Sequence, residues 1–179
     1  GIPSFRLEKN VVNAEIEILR ELGVEFKTGT EVGKDVTLKE LRTQGYQAFY
    51  LAIGAQSGRK LGIDGEDAKG VITGVEFLRN VNLDESSKLE GTTIVIGGGN
   101  VAIDVARTAV RAGSLAVSMF CLESRAEMPA LEEEIDEALS ESIAINNSWG
   151  PKRIVVENGK VVGVEFKKCV SVFDANQRF

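Results

Sequence analysis

The stretch Thr92–Arg111, TTIVIGGGNVAIDVARTAVR, leaves few choices of fold. A short β-branched run ends in three glycines. Small apolar residues then recur at helical spacing, at positions 101, 102, 105, 106, 109 and 110, until Gly113 stops them. "AVSMFC" at 116–121 reads as a second strand. Strand, glycine turn, helix and strand make a βαβ unit with parallel strands. A phosphate-binding turn of this kind needs a tight bend, a backbone with no Cβ in the way of the anion, and a helix packed closely on its strand. Gly97 suits the first need and Gly99 the second, with Gly98 between them; Ala102 takes the third position. The N–H groups at the start of the helix, where Asn100 and Val101 stand, then point at the anion, and the helix dipole adds to the attraction. The G-x-G-x-x-A pattern alone is a weak signal, since glycine turns between strand and helix that bind nothing also carry it. Its position between two strands and before a small-faced helix favours a dinucleotide.

The residue after the second strand of such a unit meets the adenine ribose. Here the sequence runs CLESRAEMPA, and Glu123 lies about 20 residues beyond Ala102. A carboxylate there accepts hydrogen bonds from the ribose hydroxyls and repels a 2′-phosphate, which favours NAD(H) over NADP(H). Arg125, two residues on, is placed either to pair with Glu123 or to meet a phosphate.

Around this unit, residues 8–22 carry a helical apolar pattern with Gly23 as its stop, and Thr37 caps a short helix over 37–43. "VEFKT" (24–28) reads as a short strand. The apolar run QAFYLAIGA (47–55) reads as a buried parallel strand. A turn-rich connector follows, then a helix over 74–81. Beyond the second strand come an acidic helix over 130–141, with Glu132–Glu134 on a solvated N-terminal face, and a short strand, IAI. Trp149 sits at a turn. Asn158-Gly159 suits a type I′ turn between two β-rich arms over 152–170. The fold class is α/β: a Rossmann-type NAD(P)-binding domain with a β-hairpin, plus part of a second α/β unit.

Composition narrows the function. Of 179 residues, 43% are apolar, enough for a core, and the net charge of −6 comes without a basic cluster, which argues against a nucleic-acid surface. No apolar run reaches the ~18 residues of a membrane span. Histidine is absent, so zinc sites and His-based triads lack support, and no Tyr-x-x-x-Lys arrangement suggests a self-sufficient dehydrogenase. Cys121 and Cys169 form no close pair; Cys121 alternates with Val117 and Met119 as a core residue. A reducing, cytoplasmic setting is expected.

Taken in order, "GIPSFRLEK", "YLAIGA", "LGIDGED", "IGGGNVAIDVARTAVRAG" and "EMPA" resemble the glutamate synthase small (beta) subunit and its relatives, FAD- and NAD(P)H-dependent oxidoreductases. The resemblance covers nearly the whole chain. It implies that an NAD(P)H domain is inserted in an FAD domain, that hydride passes from nicotinamide to flavin, and that electrons move on to an iron–sulfur protein or a large partner subunit. Residues 1–55 are then part of the FAD domain, 56–88 a connector and 89–179 the NAD(P)H domain. Gly54, in LAIGA, lies near the flavin nucleotide, although Ile53 stands where the family often has Thr. Asn100, Val101, Asp104 and Arg107 match the family's glycine-loop helix. Leu122-Glu123 replaces an Arg pair that suits the NADP phosphate, which again favours NADH. The resemblance places the first FAD glycine turn and the cluster cysteines outside this stretch. It is therefore expected to be an excised piece that neither holds FAD nor completes a redox cycle alone, with unpaired sheet edges that favour a homodimer. A nucleotide-binding regulatory module without catalysis is the rival from another class.

Overall fold

A computed structural model describes residues 1–84, 86 and 88–173. The chain forms two compact units, one of residues Ser4–Ala55 and one of Gly1–Pro3 with Gln56–Phe179.

The Ser4–Ala55 unit holds helix α1 (Lys9–Glu21) and helix α2 (Leu38–Thr43). The end of α1 is closed by Gly23 N–H to Arg20 C=O and by Val24 N–H to Leu19 C=O, which satisfies two orphan carbonyls. Thr37 caps α2 in a capping box: its hydroxyl accepts the Glu40 N–H, and the Glu40 carboxylate accepts the Thr37 N–H. Both strands expected here are absent. Residues 24–28 and 47–55 are irregular, with Tyr50 93% and Ile53 78% exposed. An apolar run becomes a strand only when another extended segment completes its ladder. Within this unit the described residues pair only at the isolated bridge Val32–Val36.

The larger unit holds the βαβ core. Helix α3 (Gly74–Leu83) starts at Thr73, whose hydroxyl accepts the Glu76 N–H. Strand β1 (Thr92–Ile96), helix α4 (Asn100–Arg111), strand β2 (Ala116–Phe120), helix α5 (Glu132–Ser140) and strand β3 (Ala144–Asn146) follow. The strands lie parallel in the order β1-β2-β3, with Thr92 opposite Ala116 and Ser118 opposite Ala144. That is one mononucleotide-binding half of a doubly wound sheet. Its core gathers Val95, Ile103, Ala106, Ala109, Val117, Met119, Ile135 and Ala138. The expected face of α4 packs on the core at Ala102, Val105, Ala106, Ala109 and Val110; it departs from the sequence expectation in taking in Ile103, fully buried, and leaving Val101 55% exposed. The difference arises because α4 meets the sheet, α3 and α5 together. A Cβ on Gly74 would come within 3.0 Å of Val105 Cγ2, so part of the small-residue stripe faces α3.

Strands β4 (Trp149–Glu157) and β5 (Lys160–Lys168) form an antiparallel hairpin. Asn158 and Gly159 have φ of 50° and 75°, the two positive angles a type I′ turn requires. Trp149 opens β4 rather than sitting in a turn, because the ladder extends to its pairing with Lys168. Phe166 of β5 stacks on Phe120 of β2, ring centroids 3.9 Å apart. The connector is not a bare linker. Lys69 N–H donates to Gly159 C=O and Ile154 N–H donates to Asp64 C=O, at 3.0 and 2.8 Å. Among the described residues no helix is long and apolar enough to cross a membrane, and no cluster of metal-ligating side chains occurs.

Candidate functional site

The glycine turn sits where β1 ends and α4 begins. Gly97 has φ +143°, its N–H donates to Phe120 C=O at 2.9 Å, and an added Cβ would press on Ala102 Cβ at 3.2 Å. Gly97 and Ala102 thus carry the tight bend and the close helix–strand packing. Gly99 is the N-cap of α4 and offers no side chain to the first N–H groups of the helix. An added Cβ there would meet nothing closer than Pro129 Cγ at 3.9 Å, so no protein atom crowds that side of Gly99. Asn100 holds the far side: its Oδ1 accepts the Leu131 N–H at 3.0 Å. Val101 is exposed on the first turn of α4.

The segment from Cys121 to Leu131 forms the second wall. Glu123 folds back toward the turn, and its Oε2 would lie 2.8 Å from a Cβ on Gly98. Its backbone carbonyl accepts from Ser148 N–H and Asn147 Nδ2. Cys121 is a free thiol in the core, as expected, and burial and then the Glu123 carboxylate push its pKa up. Ser124 and Glu127 close a capping box around a single 3₁₀ turn, Arg125–Glu127. Met128 and Ala130 are buried, and Ala130 N–H donates to Gly98 C=O at 3.2 Å. The end of the EMPA segment and the next residue are therefore fixed to the glycine turn, Ala130 to Gly98 and Leu131 to Asn100.

Of the two partners open to Arg125 in sequence, Glu123 is not the one it takes. Its guanidinium grips Glu132 of α5 with two nitrogens, Nη1 at 2.9 Å, and lies 3.9 Å from Asp136. Glu134 departs from the expected solvated face, since it is 9% exposed while Glu132 and Glu133 are exposed. Successive residues on a helix point about 100° apart, so one of three neighbours is turned inward. Arg107 is buried and pairs with Glu137 and Glu141 of α5. It is a brace between helices. Gly54 belongs to the Ser4–Ala55 unit, exposed and at φ +65° in an irregular segment. Gly97, Gly98, Gly99, Asn100, Val101, Glu123 and Arg125 all belong to the larger unit and surround the β1–α4 turn and the loop after β2. Sequence spacing missed Glu132, Asn147 and Ser148, which no motif marks.

A model of the pyridine nucleotide-disulphide oxidoreductase family matches residues 7–147. The chain is 41% identical over 168 residues to the NADP(+)-dependent formate dehydrogenase subunit beta of Moorella thermoacetica, covering 92% of this chain and 24% of that protein. It is 36% identical over 177 residues to the glutamate synthase (NADPH) small chain of Escherichia coli strain K12, covering 92% of this chain and 37% of that protein. The chain thus spans about a quarter to just over a third of the length of these relatives. The fold of FprA from Mycobacterium tuberculosis superposes with a TM-score of 0.68 at 19% identity, over 96% of this chain and 57% of that one. The resemblance to the glutamate synthase small subunit holds. The preference for NAD(H) over NADP(H) does not: both of these relatives are named for NADP(H). The inference from Glu123 rests on its place after the second strand and on Leu122-Glu123 standing where the family often has an Arg pair. In the fold its carboxylate leans on the Gly98 backbone, and the same loop carries a cation, Arg125, so one acidic residue does not decide the sign.

Proposed function

The chain belongs to the pyridine nucleotide-disulphide oxidoreductase family, and on that premise we propose that its larger unit docks NADPH for a flavin-dependent oxidoreductase. The observation that carries this is the uncapped start of α4 under an open Gly99. Pyrophosphate fits there because the first N–H groups lack a side-chain acceptor, the backbone is bare and the helix dipole favours an anion. Arg125 is the only cation in the loop from Leu122 to Leu131, and a 2′-phosphate bound beside that loop meets it as a bidentate partner. The nicotinamide carries the hydride; the residues of this chain bind and orient the nucleotide.

A flavin would supply the hydride acceptor for the nucleotide held here, and electrons would go on to an iron–sulfur protein or a partner subunit. No residue of Ser4–Ala55 is buried, and the segment bearing Gly54 is exposed and irregular.

Calorimetric titration of the 179-residue chain tests the proposal. NADPH is expected to bind at least tenfold more tightly than NADH, as one charge-assisted hydrogen-bonding partner contributes about 1.5–3 kcal/mol. Arg125→Ala is expected to remove most of that difference. Equal affinity of the parent chain for the two nucleotides would defeat it.

A further inference from the structure

Arg125 is already engaged within the chain. Its guanidinium is engaged by both carboxylate oxygens of Glu132, with Asp136 3.9 Å away. The loop that bears it has little room to move. The bonds Ala130 N–H to Gly98 C=O and Leu131 N–H to Asn100 Oδ1 fasten it to the glycine turn, Met128 and Ala130 are buried, and the Ser124–Glu127 capping box closes its 3₁₀ turn. A phosphate arriving at the loop therefore cannot draw Arg125 over by shifting the backbone. The side chain has to turn and let go of Glu132, or share itself between two anions.

From this geometry we infer that Glu132 is a specificity-determining residue: it competes with the 2′-phosphate for Arg125 and so weakens the binding of NADPH without touching that of NADH. The inference rests on the NADPH reading of Arg125. The pair lies at the surface, Arg125 40% and Glu132 70% exposed at the side chain, which bounds the effect. Exposed pairs of this kind shift an equilibrium by a factor of about two to five. Ligand binding also transmits to α5, because the helix loses a charge partner at its first turn when Arg125 leaves.

The test is calorimetric titration of the full chain with NADPH and with NADH, in the parent, Glu132→Gln, Arg125→Ala and the double variant, with Glu133→Gln on the same helical turn as the charge control. Glu132→Gln is expected to tighten NADPH about two- to fivefold and leave NADH unchanged. That gain is expected to vanish in the Arg125→Ala background and to be absent in Glu133→Gln. A gain that persists without Arg125, or that Glu133→Gln reproduces, is long-range charge relief and overturns the competition. No gain in Glu132→Gln, with Arg125→Ala still losing NADPH selectively, overturns the competition alone. If Arg125→Ala binds NADPH as the parent does, the phosphate role of Arg125 falls and the competition falls with it.

Discussion

Arg107 Nε donates to Glu141 Oε1 at 2.9 Å, fastening the middle of α4 to the end of α5 across 34 positions of chain. Arg111 reaches the same carboxylate with both terminal nitrogens, at 2.7 and 2.9 Å. The βαβ half is therefore held by a shared anion as well as by its apolar core. Hydrogen bonds from Arg111 first, and from Arg107, outweigh partial burial and hold the Glu141 carboxyl at about 2, below its ordinary 4.5. A carboxyl with a depressed folded pKa stabilises the fold fully above the unfolded value. That contribution is lost as pH falls through the folded one, here from about 4.5 to about 2. Allowing for solvent screening, Glu141→Gln is expected to cost about 1–2 kcal/mol at pH 7. Urea midpoints of parent and variant should converge as the pH is lowered through that window.

Gly97 and Gly99 separate folding from binding. Gly97→Ala forces a positive φ on an L residue and presses on Ala102, and is expected to lower stability by about 1–3 kcal/mol. Gly99→Ala meets only an ordinary contact and should leave the melting temperature within about 2 °C, near the smallest shift such a change gives. It is nonetheless expected to weaken both nucleotides tenfold or more, because its methyl group stands where the pyrophosphate approaches. Thermal melts and titrations on the two variants measure this crossing pattern.

Asn100→Ala removes the acceptor of the Leu131 N–H. A lost hydrogen bond of this kind costs about 1 kcal/mol. The wall carrying Arg125 loosens as well, so NADPH binding is expected to weaken more than NADH binding. Hydrogen exchange at the Leu131 amide should accelerate in the variant.

Phe166→Ala unstacks the hairpin from β2. An aromatic pair contributes about 0.5–1.5 kcal/mol beyond its buried area, so a drop of about 1–2 kcal/mol in unfolding free energy is expected. Nucleotide affinity should stay within twofold, because Phe120 meets the glycine turn through its backbone carbonyl, on Gly97 N–H, and not through the stacked ring. Denaturant titration beside calorimetry checks both parts.

The elements legible in the sequence were those specified by neighbours within a few residues. β1, the glycine turn and α4 follow from β-branched residues, three glycines and a helical apolar pattern in one run. Thr37 with Glu40 announces α2, and Asn158-Gly159 announces the hairpin. Each rests on local sterics or on a hydrogen bond spanning three or four positions. Position along the chain placed Glu123 and Arg125 in the loop after β2, and the fold agrees.

Tertiary structure decided everything that needs a partner from far along the chain. QAFYLAIGA has the composition of a strand, but composition supplies no ladder, and the run stays irregular. Glu132–Glu134 are identical in sequence terms, and helix geometry sends Glu134 inward while Glu132 stays out to take Arg125. Arg125 could face either sign of charge until α5 brought Glu132 to it. Glu123 looked like a guard against a 2′-phosphate, and the fold turned its carboxylate back toward Gly98. Local bonds are set by what is next in the chain; the partner of a charge, and the partner of a strand, are set by what the fold carries alongside.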